Sequence, residues 1–497
     1  MSFTLIAIDL ISTIFFKNFY IFSKYTFNQT LTTIILSIII SFTTKRFRYI
    51  LSISLITITL IEITFFSFFR TRIQSYHYEV IFSEIDDILD SLISILPTLI
   101  VVGVVYLLLS IFIYRVSSRI KGGYLSINIF ITITLASLPI YSTHKPLNIS
   151  ALNFSYLNML YSFSNFMGTL LNIKSYKFKP YRVERSQIRE ENIIVVVGES
   201  LSSKRMGLFG YSIDNTPNLN RLRGNPKFYY EEILSGGVNT PVSIVTFFTL
   251  KREPQNSKLL LKPDTNLLYL ANRRGFNTYW FSMQSEGMSI SSILEYAKRV
   301  KLRGDYPKGS FDEVLIDELK DIDWSRKNFI ILHFRANHSP YEKYIPKSFR
   351  VSDYNRLDYH KYKVNSYSDS VKYIDYLLDK IFRFIDRSSR DIKLYYISDH
   401  GERLGYADDN YKYGHSELSF EVAKTPLLIY SNRKLNIEGR FKNHYIVGKE
   451  ILRDLGYTLI NPNNSSSTYY INGLNISGRG GFLKYNIKSR ERKRRTD

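Results

Sequence analysis

The apolar positions along the chain change character near residue 145. Before it they form long blocks with few charges: LTTIILSIIISFTT, YILSISLITITLIEITFFSFF, LPTLIVVGVVYLLLSIFIY and YLSINIFITITLASLPIYS. Each approaches the roughly 20 residues that a helix needs to cross a bilayer, and each predicts a span. The opening stretch FTLIAIDLISTIFF, extended to about Ser23, predicts a fifth despite Asp9. It lacks the basic start and small-residue cleavage site of a signal peptide. Residues 1–145 are therefore expected to form a transmembrane domain of about five helices. From about residue 186 the apolar runs shorten to NIIVVV, FNTYWFS, NFIILHF, IKLYYIS and TPLLIYS. These have strand length, are rich in Ile, Val, Tyr and Phe, and are apolar at consecutive positions, the pattern of strands covered on both faces. Between them TNLLYLANRRG, closed by Gly275, predicts a helix. So does NSYSDSVKYIDYLLDKIFRFI, where Val371, Ile374, Leu377, Leu378 and Ile381 recur at helical spacing. Residues 189–475 are thus expected to be an α/β domain with a mostly parallel sheet. Residues 146–188 would be an interfacial helix and linker, and 476–497 a basic tail.

Charge orients the spans. The loops holding Lys45, Arg46 and Arg48, and Arg115, Arg119 and Lys121, are basic. The loop holding Glu79, Glu84, Asp86, Asp87 and Asp90 is acidic. The positive-inside rule places the basic loops in the cytoplasm, so five crossings put the α/β domain on the outer side. Residues 150–173 are uncharged and long enough for a sixth span, which would move that domain inward. Their Asn residues and many aromatics fit a helix lying in the interface better. Within the third span Glu62 is expected to be protonated, or to reach toward the outer interface. The net charge is +22, with a basic concentration in the last segment, SGRGGFLKYNIKSRERKRRTD. Outside the cytoplasm that tail suits solvent or anionic lipid and glycolipid phosphates better than nucleic acid, so no nucleic-acid partner is expected. With no Cys, the chain has neither disulfides nor thiolate chemistry.

In parallel sheets, chemistry gathers beyond the carboxyl ends of the strands. Glu199 follows NIIVVVG, Asn337 and His338 follow NFIILHF, and Asp399 and His400 follow IKLYYIS. Two carboxylates and an imidazole delivered to one edge make a first shell suited to Zn²⁺ or Mn²⁺. Taken singly, an Asp or Glu at a strand exit more often caps the next helix.

Two longer segments, VVVGESLSSKRMGLFGYSIDNTPNL and SDHGERLGY with the following YGHSE, resemble signature stretches of the bacterial phosphoethanolamine transferases. These are membrane enzymes of the alkaline phosphatase and sulfatase superfamily. The resemblance implies five amino-terminal spans in the inner membrane and an alkaline-phosphatase-like (sulfatase-like) catalytic domain in the periplasm. It implies Glu199, Asp399 and His400 as metal ligands, zinc or manganese as the metal, and Thr240 of SGGVNTPVS as both ligand and nucleophile. His338 and His415 would surround the transferred phosphoryl group, and His333 would occupy a further substrate-binding position. A monomer would take phosphoethanolamine from phosphatidylethanolamine, through a phosphothreonine-type intermediate, to lipopolysaccharide or another envelope glycan. Phosphoglycerol transfer or a related sulfatase-fold reaction is the competing enzymatic reading, and a catalytically inactive membrane scaffold the non-enzymatic one. Two departures stand out: relatives often have disulfides in the catalytic domain, and they often carry Asn where this chain has Asp369.

Overall fold

The structure, a computed structural model, describes residues 24–69, 73, 78, 96–120, 122–144, 155–171 and 178–487. From the last range 255–262, 285–289, 291–292, 353, 355–357, 410, 416–417, 438, 464–466 and 474–480 are excepted. The opening span, the acidic loop at 79–90 and the end of the basic tail lie outside the described residues. The chain divides into two compact units, Met1–Ser175 and Tyr176–Asp497.

In the first unit, helices span Lys24–Ser41, Lys45–Phe69, Leu96–Arg119, Leu125–His144 and Ser155–Leu171. Among the described residues two stretches, Lys45–Phe65 and Ile100–Arg119, are long and apolar enough to cross a membrane. Leu31–Ser41 and Leu125–Thr134 are shorter apolar pieces. The expectation of a five-helix bundle is therefore met only in part. On Ile100–Arg119 the large apolar side chains Ile100, Val101, Val104, Leu107, Leu108 and Phe112 face outward. That is the arrangement a hydrocarbon surrounding favours. Inside the unit, Ile40, Leu55, Ile56, Leu60, Ile113, Ile131 and Tyr156 form a core. Helix Ser155–Leu171, at 17 residues, is shorter than a span. The Tyr156 hydroxyl lies 2.6 Å from that of Thr33. Glu62 does not reach toward an interface: it is fully buried and accepts hydrogen bonds from the Asn158 amide at 2.8 Å and the Ile73 N–H at 3.2 Å. An anchored carboxylate needs no route to water.

In the second unit the first ten strands along the chain are β1 Arg182–Arg185, β2 Asn192–Gly198, β3 Phe228–Leu234, β4 Asn277–Ser282, β5 Arg299–Lys301, β6 Asn328–His333, β7 Lys393–Ser398, β8 Arg403–Leu404, β9 Tyr413–Gly414 and β10 Lys424–Ser431. Seven of them form one sheet in the order β3-β10-β7-β2-β6-β4-β5. The pairings from β7 through β5 are parallel, while β10 runs antiparallel to both β7 and β3. The sheet is thus mixed, with a parallel centre. Strands β2 and β6 are buried at every residue, because separate apolar layers cover the two faces. One layer contains Val371, Ile374, Leu377, Leu378 and Ile381 of helix Tyr359–Arg387. The other contains Val245, Phe247 and Phe248 of helix Thr240–Phe248 and Val447 and Ile451 of helix His444–Asp454. Edge strand β3, FYYEEIL, escapes a search for continuous apolar runs because its four middle residues are only half-buried.

Candidate metal and nucleophile site

The site begins with register. Gly198 and Ser398 are partners at the parallel ends of β2 and β7, so the next residues, Glu199 and Asp399, leave the sheet side by side. Ser200 turns the chain with φ 51°, and its N–H donates to Asp399 Oδ1 at 2.9 Å. Thr240 comes from elsewhere, as the first residue of helix Thr240–Phe248. Asn239 caps that helix by accepting from the Val242 N–H at 3.1 Å, and Pro241 occupies a first-turn position where the missing N–H costs nothing. Ser243 on the same helix donates from Oγ to the Asp399 carbonyl, tying the helix to the strand exit.

These elements bring four side chains together. Thr240 Oγ1 donates to Asp399 Oδ2 at 2.6 Å, and lies 3.2 Å from Glu199 Oε2 and 3.4 Å from His400 Nε2. One ligand atom from each of Glu199, Asp399 and His400 lies within 4.8 Å of the others, and all three residues are buried. His400 Nδ1 is 2.9 Å from the Gly401 carbonyl. The proton therefore belongs on Nδ1, and the Nε2 lone pair faces the carboxylates, the tautomer a metal ligand needs.

Electrostatics point the same way. Burial, reinforced by neighbouring Asp399, raises the Glu199 carboxyl above its ordinary range. Burial also raises Asp399 to about 6, against hydrogen bonds from Thr240 and two backbone N–H groups. Burial lowers the His400 imidazole to about 4. Two buried carboxylates facing a neutral imidazole form a nest that a divalent cation neutralises. Zn²⁺ and Mn²⁺ both fit this oxygen and nitrogen donor set.

His415 lies against His400 with ring centroids 4.1 Å apart and ring planes tilted by 45°, and its Nδ1 lies 3.0 Å from Glu402 Oε2. Burial alone would lower its pKa, but the hydrogen bond and attraction to Glu402 raise it to about 8. About a third of the side chain, 36%, stays exposed, so a ligand can reach it. His338 sits edge-on to Tyr344 and close enough to Glu199 to favour that carboxylate's charged form. His333, by contrast, is buried at the end of β6, with Nδ1 3.1 Å from Ser282 Oγ and its ring edge-on to Trp280. None of these contacts joins it to the cluster.

The sulfatase family pattern matches residues 191–443, half of the chain. The chain belongs to the sulfatase family. It is similar to the phosphoethanolamine transferase EptA of Helicobacter pylori, 25% identical over 293 residues that cover 56% of this chain and 54% of the relative. The chain spans about half the length of the curated relatives it matches. Among solved structures, the integral membrane lipooligosaccharide phosphoethanolamine transferase EptA from Neisseria meningitidis superposes with TM-score 0.60. That match is 17% identical and covers 92% of this chain and 95% of the other. The zinc complex of the periplasmic domain of EptC from Escherichia coli superposes with TM-score 0.51, at 17% identity over 62% of this chain and 96% of the other. At these identities the structural matches establish the fold.

This sulfatase-family site also uses residues that no motif revealed. Gln284 donates from Nε2 to Glu199 Oε2 at 3.0 Å and accepts from Arg335 Nη1 at 2.7 Å. Tyr367 receives the Ser202 N–H at 2.8 Å and donates to the Ser200 carbonyl at 2.9 Å, holding the turn after β2. Glu402 has a visible signal, standing two residues beyond His400 in SDHGE, yet only the fold pairs it with His415. Asp369 acquires a physical account: fully buried, it accepts from the N–H groups of Val351 and Ser352 and the hydroxyls of Ser352 and Tyr354, all between 2.8 and 3.1 Å. It anchors a loop in a family member that has no disulfide to do so.

Proposed function

We propose that this chain is a metal-dependent phosphoethanolamine transferase of the bacterial inner membrane, with its catalytic unit in the periplasm. Its donor is phosphatidylethanolamine and its acceptor lipopolysaccharide or another envelope glycan. The observation that carries this reading is the meeting of Thr240 Oγ1 with Glu199, Asp399 and His400. The curated relatives named phosphoethanolamine transferases support it, and the outward-facing apolar helix Ile100–Arg119 supports the membrane setting. Zinc is the metal we favour, on the donor set and on the zinc-bound fold relative.

Glu199, Asp399 and His400 would hold the cation, and Thr240 would complete the set. A divalent cation bound there supplies charge that favours the deprotonated hydroxyl and offsets the negative charge of a phosphoryl group. The hydroxyl proton of Thr240, which Asp399 Oδ2 accepts at 2.6 Å, would pass to solvent when a cation takes up that carboxylate oxygen. The threonine oxygen forms a bond to phosphorus while the bond from phosphorus to the glycerol oxygen breaks, and diacylglycerol leaves with a proton. Protonated His415, oriented by Glu402, is placed to supply that proton. The acceptor hydroxyl then repeats the displacement in reverse, returning its proton to the imidazole, so one difficult substitution becomes two easier ones. His338 is placed to bind phosphoryl oxygens.

The test is mass spectrometry of the full chain in detergent after incubation with phosphatidylethanolamine and phosphatidylglycerol together. An aminoethyl phosphate on Thr240, absent from Thr240→Ala, is the expected result. A glycerophosphate there would favour phosphoglycerol transfer, and an unmodified Thr240 in metal-loaded protein would count against both enzymatic readings and for a scaffold.

A further inference from the structure

Beside the loop that presents Thr240 lies a small, partly open pocket. Its wall includes Gly236, Lys251, Arg252, Asn443, Tyr469 and Asn472. Arg252 follows the nucleophile helix and is 6% exposed. Its Nε lies 3.3 Å from Glu253 Oε1, and its guanidinium carbon is 5.6 Å from the Tyr445 ring centroid and 5.8 Å from that of Tyr469. Its Nη2 has no partner, and neither has Asn443 Nδ2, in a residue 3% exposed. Asn443 Oδ1 is already committed to the Ile446 N–H as a helix cap, which leaves the amide nitrogen to seek an acceptor. Buried donors without acceptors are costly, about 1–3 kcal/mol each, and mark a place where a ligand or water belongs.

The charge balance narrows the choice. Among the described residues, Lys251 and Arg252 on the wall and Lys449 beside Tyr445 contribute positive charge, and Glu253 is the opposing carboxylate. Lys251, 3% exposed, donates from Nζ to the Pro254 carbonyl at 2.8 Å. Burial lowers its ammonium to about 7, a penalty that a nearby anion would relieve. Asn472 Oδ1, also without a partner, adds one acceptor, which suits an oxyanion that keeps a hydroxyl, such as hydrogen phosphate.

We infer that this cavity is a binding site for a small oxyanion of the phosphate class, lined by residues other than the metal cluster's and bordered by the nucleophile loop. The link to that loop is direct. Asn472 donates to the Gly236 carbonyl from its N–H at 3.0 Å and from Nδ2 at 2.7 Å, and the Gly236 N–H donates to His444 Nδ1 at 3.3 Å. An anion held by Arg252 and Asn443 therefore braces the segment from Ser235 to Asn239 that ends in the helix cap before Thr240. The source of the oxyanion is either free phosphate or a phosphate ester carried on a glycan or lipid.

The experiment uses the full chain in detergent, stripped of metal and carrying Thr240→Ala, His338→Ala and His415→Ala, so that phosphate finds no metal and no imidazole at the metal cluster. Calorimetric titration with inorganic phosphate is expected to show one site. In the double variant Arg252→Gln/Glu253→Gln, which removes both charges of the buried pair, that site is expected to weaken at least about tenfold. Lys251→Gln serves as the second variant should the first fail to fold, with weakening in the same direction. A selenate soak of crystals is expected to put an anomalous peak between Arg252 and Asn443. Absence of phosphate binding, binding indifferent to these substitutions, or density for water alone would overturn the inference. Each of those results leaves the reading of the reaction untouched, because the titration excludes the metal cluster. Glucose 6-phosphate in place of phosphate distinguishes the two sources: an ester that binds as well as the free ion admits a substrate phosphate, and an ester that fails restricts the site to free phosphate.

Discussion

His415 owes most of its charge to one neighbour. Against burial, Glu402, with smaller contributions from Glu199 and Asp399, holds the imidazolium at about 8. In metal-free protein the His415 ring signals, followed by NMR, are expected to titrate near pH 8 and to move toward or below 6.5 in Glu402→Gln. A titration unchanged by the substitution would remove Glu402 from the site. His333 shows the opposite case. Burial, with Arg335 adding to it, lowers its imidazole to about 3, whereas in the unfolded chain it titrates near about 6.5. Between those values the unfolded chain binds the proton and the native state does not. The stability His333 protects is thus complete above about pH 6.5 and lost as pH falls toward 3. His333→Phe is expected to lose less thermal stability than the parent between pH 6.5 and 4. Single residues were legible where a strand exit announced them: Glu199, Asp399 and His400 follow continuous apolar runs. Gln284 was not, because a side chain that orients a ligand follows no periodicity and is adjacent to Glu199 only after folding.

At the scale of elements, the parallel centre of the sheet was readable because two-sided burial makes a strand apolar at every position, as in β2 and β6. The antiparallel edge was not. β3 has half-buried middle residues, including Glu231 and Glu232, and its sequence carries neither a continuous run nor clean alternation. The direction of β10 was hidden too, since an apolar strand reads alike either way. Asp369 gives an element-scale prediction. Its carboxylate collects four hydrogen bonds that hold Val351, Ser352 and Tyr354 against helix Tyr359–Arg387. Asp369→Ala leaves those donors without an acceptor and is expected to cost about 2–4 kcal/mol in denaturant unfolding. Asp369→Asn keeps one acceptor oxygen and is expected to cost less. Equal losses would mean that packing, and not hydrogen bonding, fixes the loop.

At the scale of the whole molecule, a unit with an outward-facing apolar helix is joined in one chain to a unit that gathers a metal-ligand set. The positive-inside reading puts the second unit outside the cytoplasm. Because the chain has no Cys, one introduced thiol reports topology without background. Lys320→Cys, at an exposed position, is expected to react with a membrane-impermeant maleimide once the outer membrane is permeabilised, with the inner membrane intact. Labelling only after lysis would place that unit on the inner side. Among the described residues the two stretches long and apolar enough to cross a membrane, Lys45–Phe65 and Ile100–Arg119, were legible from composition, whereas the wall of the phosphate-class cavity was not: Lys251, Asn443 and Asn472 are far apart in sequence and meet only through the fold. Thr240, Glu199 and the adjacent pair Asp399 and His400 are also far apart in sequence, and the proposed reaction depends on their sharing one cation. Diffraction from crystals of the full chain, recorded on both sides of the zinc absorption edge, addresses that dependence. The expected result is a single anomalous peak bonded to Glu199, Asp399, His400 and Thr240, which disappears in Asp399→Ala. A zinc-loaded crystal with no peak at those four side chains, or with a peak that ignores Thr240, would contradict it.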